Sequence, residues 1–85
     1  MANILTEGAE MLTKSLTWGG KMTFDQINKL DWLKTTSYYG INLYIQEGIR
    51  KGWINCMCKE GKPTVYYATR KGRKMSNEKR IIKNK

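Results

Sequence analysis

Ser37 to Thr69 reads SYYGINLYIQEGIRKGWINCMCKEGKPTVYYAT, and the period of its apolar residues changes once, at Gly52. Before that point Ile41, Ile45 and Ile49 recur every four residues, which is one face of a helix, with Gly48, Tyr38 and Tyr44 beside them. Tyr39, Asn42, Leu43, Gln46, Glu47 and Arg50 fall on the opposite side. Thr36 or Ser37 can cap the start, so the expected helix runs from about Ser37 to Lys51. Gly40 and Gly48 each weaken it by roughly 1 kcal/mol relative to Ala, so packing must hold it, and Gly48 reads as a close approach to another helix. Gly52 suits the left-handed position after the last turn.

Beyond Gly52 the period is two. Ile54, Cys56 and Cys58 fall on one side of a strand and Trp53, Asn55 and Met57 on the other. Glu60-Gly61-Lys62-Pro63 supplies turn chemistry, and Thr64 to Thr69 returns as a second strand. A lone hairpin is marginal in water, so this one must lie on a helical core.

Upstream, Leu5, Ala9, Leu12 and Leu16 share one helix face, with Glu7 and Glu10 early and Lys14 late, as the helix dipole favours. Trp18-Gly19-Gly20 stops that helix. Lys21-Met22 forms a very short strand. Thr23 and Gln26 form a capping box for a second helix whose buried stripe is Phe24, Ile27, Leu30 and Leu33. Lys34-Thr35-Thr36-Ser37 makes the turn into the third.

With 85 residues there is room for one small core and no separate substrate domain. The net charge of +9 favours an acidic partner such as nucleic acid or an anionic membrane. Charge is unevenly placed. From Arg70 to Lys85 there are eight Lys or Arg against Glu78, a balance of +7, which leaves +2 for the first 69 residues. The expected division is therefore a folded domain over 1–69 and a basic tail or helix over 70–85, with Met75, Ile81 and Ile82 as its thin apolar side. No run is apolar and long enough to span a bilayer, and the first residues lack a signal-peptide pattern, so the expected compartment is the cytoplasm.

Enzyme chemistry finds no support. The chain has no His, no nucleophile with an evident base, and only the isolated turn glycines Gly61 and Gly72 in place of a phosphate-cradling loop. Cys56 and Cys58 lack further zinc ligands and read as small buried hydrophobes. No cofactor and no metal are expected.

The order helix, short strand, helix, turn, helix, hairpin, with Ile49-Arg50-Lys51-Gly52-Trp53-Ile54 and Tyr66-Tyr67-Ala68-Thr69-Arg70-Lys71-Gly72-Arg73, resembles the winged helix-turn-helix regulators of bacteria, archaea and their viruses, in the style of the MarR-like and PadR-like groups. The resemblance covers roughly residues 3 to 74 and implies an α+β fold, a three-helix core with a β-hairpin wing. Two departures stand out. Ala68 stands where a larger apolar residue is usual, which implies a looser anchorage of the wing. The stretch from Ile27 to Ile41 is about one helical turn longer than usual, which implies an extended second helix or an irregular turn. The Z-form nucleic-acid binders share this fold, but they carry a Tyr one turn after the Asn, where Gln46 stands here.

The resemblance implies sequence-specific binding of double-stranded DNA by a small transcriptional regulator, with the third helix in the major groove. Asn42 and Gln46 are then the candidates for base readout, since an amide both accepts from and donates to adenine. Ser37, Tyr39 and Arg50 would hold phosphates, with Lys51, Lys59, Lys62, Arg70, Lys71 and Arg73 adding to the basic surface. Such regulators pair as homodimers on repeated half-sites, and the first helix or the tail after Thr69 is available for that contact. The alternative is a protein-interaction module binding through Tyr39, Leu43 and Glu47, because a Tyr-Leu-Glu face suits protein and the acid repels phosphate. Abundant Lys, Ile, Asn and Tyr suit a phage, plasmid or low-GC bacterial source.

Overall fold

The computed structural model describes residues 4–83, and side chains through Asn77. Met1-Ala2-Asn3, Asn84-Lys85 and the side chains of Glu78, Lys79, Arg80, Ile81, Ile82 and Lys83 lie outside the description. The architecture is α+β, with helices α1 (Ile4–Gly19), α2 (Phe24–Asn28), α3 (Tyr38–Lys51) and α4 (Arg70–Lys83). Strands β1 (Met22–Thr23), β2 (Ile54–Met57) and β3 (Val65–Ala68) form an antiparallel sheet in the order β1-β3-β2. Among the described residues no helix is long and apolar enough to cross a membrane.

α1 buries the expected face: Ala9, Leu12 and Leu16 are in the core. It ends within the expected Trp18-Gly19-Gly20 stop: Gly19 is its last residue, and Gly20 takes φ +85° and donates to the Leu16 carbonyl. The expected strand at Lys21-Met22 lies one residue later, and Met22 pairs with Tyr66 and Thr23 with Val65. β1 thereby ties the segment between α1 and α2 to the hairpin.

The capping box forms as the sequence predicts. Thr23 accepts from the Gln26 N–H at 3.3 Å, and the Gln26 side chain accepts from the Thr23 N–H at 2.9 Å. Of the two alternatives for the long Ile27-to-Ile41 stretch, the irregular connection is the one that forms. α2 ends at Asn28, Leu30 is extended, and Asp31–Leu33 forms a separate 3-10 turn. Bonds of the i to i−3 type, from Lys29 to Gln26, Leu30 to Ile27 and Leu33 to Leu30, replace the α-helical ladder. At three residues per turn Ile27 and Leu33 still reach the core while Leu30 packs against it. The break turns Trp32 onto its neighbours: its indole N–H donates to Ser15 Oγ at 3.2 Å, and the ring stacks on Tyr44 at 6.2 Å.

Ser37 caps α3 by accepting from the Gly40 N–H at 3.1 Å. At the other end Gly52 has φ +81°, its N–H reaches the Ile49 carbonyl, and the Trp53 N–H reaches that of Gly48. Those two bonds are a Schellman closure. Gly48 does make a close approach, but to β2 rather than to a helix, since a Cβ there would overlap the Ile54 side chain. Trp53, expected opposite Ile54, joins the core instead, with Lys51 Nζ 6.0 Å from its ring centroid.

In the hairpin Ile54 pairs with Ala68, Asn55 with Tyr67, Cys56 with Tyr66 and Met57 with Val65. Ile54 and Ala68 are buried, but Cys56 and Cys58 are exposed, against expectation. β2 is the outer strand of the sheet, and after Ile54 its residues are all exposed, so strand alternation no longer implies burial. The Thr69 N–H bonds to the Trp53 carbonyl at 2.8 Å, which by antiparallel alternation turns the Cys56 N–H to the sheet edge. There it donates to Asn55 Oδ1 at 2.8 Å.

The basic segment after Thr69 is helical. Thr69 caps α4 by accepting from the Gly72 N–H at 3.0 Å, and its own hydroxyl donates to the Gly52 carbonyl. Gly72 is no turn glycine. A Cβ there would overlap the Trp53 carbonyl oxygen, so α4 lies against the main chain that leaves α3. Ser76 is fully buried, 3.4 Å from the Thr17 hydroxyl, and Met75 packs on the core.

Candidate nucleic-acid interface

The face of α3 that points to solvent carries Tyr39, Asn42, Leu43, Gln46 and Arg50, as the four-residue spacing of the isoleucines predicts. Tyr39 is 74% exposed. Tyr38, expected to lean inward, is 63% exposed, with its ring edge against Phe24 at 5.4 Å. Ser37 is exposed too, but its hydroxyl oxygen already serves as the helix cap.

Glu47 departs from the expectation of an exposed acid. It is only 6% exposed and accepts two bonds from Arg50, each 2.9 Å, and a third from the Thr6 hydroxyl at 3.0 Å. The Arg50 guanidinium bonded to it, helped by Thr6, holds the Glu47 carboxyl below the ordinary glutamate range, against the opposing effect of burial. The same contact raises Arg50 above its usual value. Two consequences follow for the outer face of α3. Its one acid is withdrawn and neutralised, and Arg50 is a tethered group in a neutral pair rather than a free cation.

The remaining basic candidates gather in two places. At the exit of α3, Lys51 lies near the Trp53 ring and the Lys71 stem runs beside Gly52, where its charge complements the helix C-terminus. On the hairpin, Lys59 and Lys62 flank a turn closed by the Lys62 N–H to the Lys59 carbonyl at 3.0 Å, with Gly61 at φ +76° as a type II turn requires. Lys21, which sequence reasoning missed, shares a concavity with them over Met57, Pro63 and Val65. Only the pairing of β1 with β3 brings Lys21 there, and nothing in its local sequence signals it. Arg70 and Lys74 are exposed on α4. Arg73 is partly committed, donating to the Ala68 carbonyl at 2.9 Å.

The arrangement offers an amide pair on a helix face, a hairpin with three lysines around its tip and base, and a basic helix anchored beside them. No protein-family model, curated protein or solved structure matches the chain.

Proposed function

We propose that this chain is a winged helix-turn-helix domain that binds double-stranded DNA as a small regulator, with α3 in the major groove and the β2–β3 hairpin along the backbone. The observation that carries the reading is the outward display of Asn42 and Gln46, one turn apart on a capped helix whose only outer acid has been drawn inward to Arg50. Either amide can make the paired donor-acceptor contact that adenine offers in the major groove. The sheet order supports the fold reading, because β1 enters beside β3 and braces the hairpin as a wing needs. Lys59, Lys62 and Lys21 supply backbone contacts, and the exposed basic residues of α4 add sequence-independent affinity. Two copies on paired half-sites would extend a single module's limited interface.

Fluorescence anisotropy with random-sequence duplex DNA at two salt concentrations tests this reading. Binding that weakens steeply with salt supports it, and no binding at low salt overturns it. Asn42→Ala should then flatten sequence preference with little change in the salt slope.

A second reading is favoured by the exposure of Tyr38, Tyr39 and Leu43, an aromatic and aliphatic group at the start of α3. Such a group suits capture of another protein. If duplex DNA fails to bind while Leu43→Glu abolishes association with a protein partner, that reading takes the place of the first.

A further inference from the structure

Ile4, Met11 and Trp18 are 76%, 46% and 50% exposed, and they recur at intervals of seven along α1. That interval puts all three nearly in line, outside the face that buries Ala9, Leu12 and Leu16. Scattered exposed apolar residues are ordinary, but three large ones in one helical stripe mark a contact surface. Beside Met11 and Trp18 a groove lined by Ser15, Met22, Leu30 and Trp32 extends the apolar surface. Glu7 and Lys14 border the stripe, and Lys14 also lines that groove. Glu7 lies four residues before Met11 and Lys14 three residues after it.

We propose that this stripe pairs with its equal on a second copy of the chain, the two α1 helices crossing antiparallel about Met11. Ile4 of each copy then meets Trp18 of the other, Met11 meets Met11, and Glu7 comes within one residue of Lys14 twice over. The match follows from large apolar residues lying seven positions to either side of Met11 and from charge reversing sign across it, with Glu7 before and Lys14 after. A parallel two-fold pairing would place the two Glu7–Lys14 flanks on opposite sides of the seam, where neither charge meets its opposite. Charge also selects the occupant. α1 carries Glu7 and Glu10 against Lys14, a balance of −1 in a chain of +9, so it is poorly suited to nucleic acid and is a long helix on which two basic copies approach at low cost. The inference names the surface by which the two copies of the DNA reading would pair, and its test uses no DNA, so the two can fail separately.

Sedimentation equilibrium of the full chain supplies the test. The wild type should dimerise with a dissociation constant below ~100 µM. Met11→Glu should weaken the dimer by at least about a hundredfold, since a large apolar side chain is lost from both copies. Its circular dichroism should not change, because the side chain is half in solvent. Glu7→Lys and Lys14→Glu should each weaken pairing several-fold, and the double swap should restore it. A monomeric wild type, a dimer that survives Met11→Glu, or a double swap no better than the single changes would each overturn the proposal. A monomeric wild type that instead binds an unrelated protein through Met11 assigns the stripe to that partner and rejects the self-pairing.

Discussion

The two ends of the β2–β3 hairpin are built on opposite plans. At its base Thr69 is held on four sides: its N–H to the Trp53 carbonyl, its hydroxyl to Gly52, its side-chain oxygen to the Gly72 N–H, and its carbonyl to the Arg73 N–H at 2.8 Å. The exit of α3, both strands and the start of α4 meet there. At its tip, residues 59–63 are exposed, one backbone bond closes the turn, and a Cβ on Gly61 would meet nothing within 4 Å. The contrast teaches that the fold fixes the direction in which the hairpin leaves the body and spends no packing on where its lysines end. An element that must settle against an irregular charged surface benefits from that division.

Substitutions at the two ends should therefore differ in kind. Gly72→Ala should be the most damaging, costing about 3 kcal/mol or more in urea unfolding, because the added methyl meets main chain that cannot swing aside. Thr69→Ala should cost about 1–2 kcal/mol by the same measurement, through loss of a helix cap and of the bond to Gly52. Gly61→Ala at the tip should cost only about 1 kcal/mol, all of it from the left-handed backbone, and a larger loss would mean that the tip is packed after all.

The Glu47–Arg50 contact adds a pH signature that neither end of the hairpin has. Because the folded Glu47 carboxyl titrates below its unfolded value, its contribution is present above about pH 4.5 and is lost as pH falls through the lowered value. The difference in stability between wild type and Glu47→Gln should narrow as unfolding is measured at successively lower pH. Lys62→Ala should change stability least, within about 0.5 kcal/mol. It should instead lower the log–log salt slope of duplex DNA binding by about 1. An unchanged slope would remove the hairpin tip from the DNA reading.

What the sequence made legible was local. The isoleucine spacing of α3, the Thr23–Gln26 box, the Ser37 cap, the Gly52 terminus and the hairpin period all act within one or two turns of chain, and each appears where its residues predict. The break after Asn28 was hidden because Ile27, Leu30 and Leu33, spaced by three, serve an α-helix and a 3-10 turn equally well. Glu47 was placed with the exposed residues because its burial depends on Thr6, 41 residues away. Cys56 and Cys58 alternate like core residues, yet periodicity carries no information about which strand lies at the edge of the sheet. Gly72 appeared as a turn glycine because its obstacle, the Trp53 carbonyl, belongs to a distant part of the chain. Of the candidate interface, the amides of α3 and the lysines of the turn were readable, whereas Lys21 was not.

Asn55 has a consequence for the behaviour of the protein at high concentration. β2 is an outer strand, and its open side is a template on which another extended chain could add and begin a growing aggregate. By accepting the Cys56 N–H, the Asn55 side chain occupies one of the rungs on which such growth would start. The outer strand thus carries its own guard against fibril formation, one residue before its exposed thiol.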